Sequence, residues 1–158
     1  MDLQGAPRAG ANRFAVVVSR FNAEVTDGLL AGALSALDAA GVTADARTIV
    51  RVPGAFELPV TAQRLAESGR FDAVVCLGCL IKGDTMHFEY LAEAVSQGLS
   101  RVALDSGVPV AFGVLTTLTD EQALERARPG DENKGAEVAR AAIEMASLFR
   151  SLDTEAPS

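Results

Sequence analysis

Four short apolar runs limit how this chain can fold: RFAVVVS (13–19), ARTIVRV (46–52), FDAVVCLGCLI (71–81) and VPVAFGVLT (108–116). Three of them are almost unbroken in Val, Ile, Leu and Ala, with no polar alternation. Strands buried on both faces of a parallel sheet read this way. The run ARTIVRV carries Arg47 and Arg51, and its polarity suits a sheet edge. Between the runs, apolar residues recur at spacings of three and four over 23–40, 57–68 and 85–105. Each of these helical patterns stops at a glycine: Gly41, Gly69 and Gly107. A short helix at 119–127 and a longer one at 134–151 complete the order β-α-β-α-β-α-β-α-α. Alternating strands and helices predict an α/β fold, a three-layer α/β/α sandwich on a four-stranded parallel sheet. Residues 13–151 read as a single domain. Residues 1–12 read as a mobile N-terminal arm available to a neighbouring subunit, and 152–158 as a mobile tail.

Composition narrows the function. The 158 residues are 49% hydrophobic and 22% charged, with a formal net charge of −7. No basic run offsets that charge, so a nucleic-acid partner is not expected. No apolar run is long enough to span a bilayer, and the first residues lack the apolar core of a secretory signal. The reading is cytoplasmic, with no membrane partner. Cys76 and Cys79 form a C-x-x-C, but they lie within a buried strand. Residues three apart on a strand point to opposite faces, with Cα atoms about 10 Å apart. That is too far for a disulfide. With one histidine and no second cysteine pair, no metal site is expected.

In open α/β sheets, ligands bind beyond the carboxyl ends of the strands. Three loops there hold distinctive residues: Ser19–Asn22, Pro53–Glu57 and the stretch from Cys79 to His87. Phe21 and Phe56 sit at strand ends, where two aromatic rings can sandwich a flat heterocycle or simply pack into the core. Glu57 can accept hydrogen bonds from a polyol or open a helix. Gly83 permits a tight turn, and Asp84 or Thr85 can cap the next helix, whose free N–H groups favour an anion such as phosphate. Lys82 adds to that anion site or is solvated. His87, the chain's one histidine, falls in the first turn, placed as a general base, a proton relay or a plain helix-start residue. Arg126 and Lys134 bracket the loop ARPGDEN and are candidates for an anion or for solvent. No G-x-G-x-x-G follows a strand at the nucleotide-binding spacing.

Six motifs in order, SRFN (19–22), VPGAFELP (52–59), IKGDTMHFEY (81–90), FGVLTT (112–117), EQALERA (121–127) and NKGAE (133–137), resemble the lumazine synthase family over residues 13–150. The resemblance implies a flavodoxin-like fold and a reaction. That reaction condenses 5-amino-6-(D-ribitylamino)uracil with 3,4-dihydroxy-2-butanone 4-phosphate. It gives 6,7-dimethyl-8-ribityllumazine, phosphate and water, without metal or organic cofactor, in riboflavin biosynthesis. It also implies roles. Phe21 stacks on the pyrimidine beside Asn22. Ala55, Phe56 and Glu57 hold the ribityl chain. Leu80 and Ile81 meet the ring edge through their backbone. Gly83, Asp84 and Thr85 cradle the phosphate, and His87 moves protons. Phe112, Arg126 and Lys134 come from a neighbouring subunit, Arg126 on the phosphate and Lys134 on the ring side. The family forms homopentamers, some assembled by twelves into icosahedral capsids, with riboflavin synthase as a partner in some. The short loop between Arg126 and Lys134 leans towards the capsid.

Two other readings fit the same residues. A flavin- or ligand-binding module of this architecture would be without turnover, and yellow with a flavin bound. A non-catalytic shell protein would assemble with empty sites, but it would need none of Glu57, His87, Arg126 and Lys134.

Overall fold

The computed structural model describes residues 1–154; residues 155–158, the end of the tail expected to be mobile, lie outside the described residues. Strands β1 (Phe14–Ser19), β2 (Arg47–Val52), β3 (Ala73–Ile81) and β4 (Val110–Thr117) form one sheet in the order β2-β1-β3-β4. All three neighbouring pairs are parallel. The helices are α1 (Ala23–Ala39), α2 (Leu58–Ala66), α3 (His87–Ser106), α4 (Asp120–Arg126) and α5 (Lys134–Thr154). This is the expected flavodoxin-like sandwich, and the arginine-bearing second run is indeed an edge strand.

Burial follows from the pleat. All six residues of β1 are buried, and their alternate side chains enter two different cores. Phe14, Val16 and Val18 join Val75 and Leu77 beneath α1 and α5. Ala15 and Val17 join Val74 and Leu80 beneath α2 and α3. The same alternation separates the cysteines, Cys76 facing the α2–α3 layer and Cys79 the α1–α5 layer. Both are free thiols. Burial pushes the Cys76 thiol up to about 12. Burial, then the Asp120 carboxylate, pushes Cys79 up to about 11.

Some helix ends depart from the sequence reading, by at most three residues. The turn at Ala55–Glu57 is a 3-10 helix because the Gly54 N–H donates to Glu57 Oε1 at 3.0 Å, and α2 starts only at Leu58. Helix α3 starts at His87 rather than 85, and α5 runs on to Thr154. Gly107 ends α3 with φ 71°, a left-handed conformation a side chain would resist.

The N-terminal segment lies against its own chain. Ala9 is buried and its N–H donates to Ala40 O at 3.1 Å. The Ala6 N–H donates to Ser147 Oγ, and Arg150 Nε to Asn12 Oδ1.

Candidate active site

Parallel strands deliver their C-terminal loops to one rim, and backbone hydrogen bonds lock those loops together. The N–H groups of Arg20 and Phe21 donate to the carbonyls of Val52 and Pro53, at 2.8 and 3.1 Å. The β1–β3 register ends at Val18 opposite Leu77. Beyond it Asn22 takes over: its Nδ2 donates to Cys79 O at 3.0 Å, a side chain continuing the ladder that the backbone has left. To do so Asn22 adopts φ 62°, the one non-glycine with positive φ among the described residues. Asparagine tolerates this conformation better than most residues.

A cleft of about 900 Å³ opens on this rim. It brings together Phe21, Asn22, Ala55, Phe56, Glu57, Leu80, Ile81, Gly83, Thr85 and His87. Phe21 and Phe56 are 69% and 64% exposed, which excludes the core-packing reading for both. Glu57 is half-buried and fixed by the Gly54 N–H, leaving its second oxygen for a ligand. Asp84 is exposed and lines neither this cleft nor the one described next.

The start of α3 differs from the sequence reading. Neither Asp84 nor Thr85 is the residue before the helix; Met86 is, and it provides no side-chain cap. Thr85 Oγ1 accepts only a long 3.4 Å bond from the His87 N–H. The first helical bond runs from Tyr90 N to Met86 O. The N–H groups of Phe88 and Glu89 therefore have no helical acceptor, and the helix start is electropositive. Gly83 does not serve a strained turn either: its φ is not positive, and a Cβ there would meet nothing within 4 Å. Lys82 is ion-paired with Glu89 and lies over the Phe88 ring at 5.7 Å, outside the cleft lining.

Phe112, Arg126 and Lys134 are absent from this cleft. They gather in a second hollow of about 440 Å³ at β4, the open edge of the sheet. Arg126 Nη1 donates to Gln122 O at 2.9 Å, and Lys134 Nζ to Glu137 Oε1 at 3.1 Å. A third hollow, about 760 Å³ between α1 and α5, holds none of the candidate residues.

Three residues of the rim escaped the sequence reading. Gly54 fixes Glu57. Tyr90 lies one turn after His87 and lines the cleft, as does Asp120 at the start of α4. The signal for Asp120 was available, since it follows the fourth strand as the other loops follow theirs. Among the described residues, no group of three or more His, Cys, Asp or Glu could hold a metal, and no helix is long and apolar enough to cross a membrane.

Comparison with known proteins agrees with the geometry. The chain is 54% identical over 138 residues to a 6,7-dimethyl-8-ribityllumazine synthase 1 of Caulobacter vibrioides, which covers 87% of this chain and 90% of that relative. The sequence profile of the family matches residues 11–150, all but the two ends, and the chain belongs to the 6,7-dimethyl-8-ribityllumazine synthase family.

Proposed function

We propose that this chain condenses 5-amino-6-(D-ribitylamino)uracil with 3,4-dihydroxy-2-butanone 4-phosphate at a composite site, one half on the rim cleft and the other on the β4-edge hollow of a second copy. One observation carries this reading. The rim cleft combines exposed aromatic rings, a fixed carboxylate, an uncapped helix start and the histidine, while the candidate cations stand in a separate hollow.

On this reading the pyrimidine lies against Phe21, and the ribityl hydroxyls donate to the free oxygen of Glu57, beside Ala55 and Phe56. Backbone groups of Leu80 and Ile81 meet the ring edge. The phosphate sits at the start of α3, on N–H groups and the Thr85 hydroxyl, with Gly83 leaving its approach open and Asp84 at the margin. Arg126 of the second copy completes the anion cradle, with Lys134 and Phe112 on the ring side. Holding both substrates together supplies the entropic part of catalysis. The amine adds to the ketone carbonyl and water leaves, forming an imine. Phosphate is then eliminated, and the second amine closes the ring with loss of water. His87 carries the protons of these steps, and the cradle stabilises the leaving phosphate.

The second copy fits a closed ring, here a pentamer, with the short Arg126–Lys134 loop favouring a capsid of twelve. The test is to mix purified protein with both substrates and follow lumazine fluorescence. Product formed faster than the uncatalysed rate supports the reading. No acceleration by an assembled protein, especially a yellow one, would replace it with a flavin-binding role.

A further inference from the structure

We infer that Asn133, which lines none of the hollows described above, is a positioning residue that sets the geometry of Arg126 and Lys134; the inference rests on the substrate role proposed for those two residues. Asn133 is 2% exposed, and its side chain joins three elements. Its Nδ2 donates to Ala127 O at 3.0 Å and Arg128 O at 2.9 Å, carbonyls just past the end of α4 that have no helical donor. It also reaches Gly28 O of α1 at 3.1 Å. Its Oδ1 accepts from Ala136 N at 3.1 Å and so caps the start of α5. One amide thus closes the end of one helix and the beginning of the next. Arg126 is the last residue of the first helix, and Lys134 the first of the second.

The surroundings are shaped for this side chain. A Cβ on Gly32 would stand 2.0 Å from Asn133 Oδ1, so α1 must present a glycine there. The amide has two hydrogens for three carbonyls, so one hydrogen is shared. Such a buried network has little freedom to shift and fixes whatever it holds. Neither Arg126 nor Lys134 is otherwise restrained at its tip except by contacts within its own helix.

Asn133→Ser tests the inference. Serine can still cap α5 but cannot donate to the three carbonyls. Gly32→Ala is the second variant, since its methyl displaces Asn133 without changing it. The assembled variants, assayed well below their melting temperatures, should show KM for the butanone phosphate raised by about tenfold to a hundredfold, with a smaller fall in kcat. In an Arg126→Ala background Asn133→Ser should add little to KM for the butanone phosphate, because on that substrate the two act through the same phosphate contact. Wild-type KM in both folded variants overturns the inference, as does a full further loss on top of Arg126→Ala. Arg126→Ala with unchanged KM would overturn the substrate role of Arg126 and this inference with it. A raised KM in Arg126→Ala beside an unchanged one in Asn133→Ser overturns the inference alone.

Discussion

Asn22 holds φ at 62° because its side chain gains a carbonyl partner at the end of β3. Alanine there would lose that bond and tolerate the backbone less well. Phe21, one residue earlier, owes its outward stance to the same turn. The motif SRFN was legible in the sequence as a rim loop, but the left-handed turn was not, since nothing local marks which asparagine has a distant carbonyl in reach. His87 opens α3 within the cleft. His87→Ala should lower kcat by roughly a hundredfold, the low end of a general acid–base contribution, with modest change in KM. Steady-state kinetics decides: a large loss of binding at unchanged kcat contradicts the proton-transfer role. The buried Cys76 thiol gives a pH prediction. The unfolded chain sheds this proton near 9, while the folded chain keeps it up to about 12. The folded pKa is raised, so the contribution to stability is complete below 9 and is lost as pH rises from there to about 12. Urea midpoints should therefore fall from about pH 8 to about pH 10, and fall less steeply in Cys76→Ala.

Helices and strands were read well from periodicity, and their ends were not. The glycine stops at Gly41 and Gly107 are real left-handed residues, because only such residues let the chain leave a helix cheaply. The starts of α1 and α5 fall where expected, at Ala23 and Lys134; those of α2 and α3 do not. At α2 a carboxylate three residues on draws the chain into a 3-10 turn first. At α3 the expected caps, Asp84 and Thr85, leave the helix start uncapped, which is what an anion site needs. The α1–α5 contact was also invisible, although it is as close as backbone allows. A Cβ on Gly135 would stand 1.9 Å from Leu29 O. Gly135→Ala gains about 1 kcal/mol in helix propensity. Overpacking against backbone costs about 1–3 kcal/mol, and here the contact is with an immovable carbonyl, so the loss should win. The expected outcome is a lower melting temperature; an unchanged or higher one would show that α5 can shift freely.

At the scale of the molecule, the candidate residues divide between two hollows, and a mixing experiment tests whether two copies join them. His87→Ala damages one half of the proposed site and Arg126→Ala the other. Co-refolded as mixed oligomers, the two weak variants should recover roughly a quarter of wild-type activity, since about one interface in four pairs two intact halves. No recovery from demonstrably mixed oligomers would place both residues in one subunit's site. The fold class, the edge position of the second strand, the buried thiols and most residues of the rim were legible in local sequence, because apolar periodicity and motif order need no knowledge of distant partners. The division into two clefts, the uncapped start of α3, the left-handed Asn22 and the role of Asn133 as a clasp between α1, α4 and α5 depend on which carbonyls and helix ends meet across the chain. Only packing of the layers brings those groups together, so only the tertiary structure could decide them.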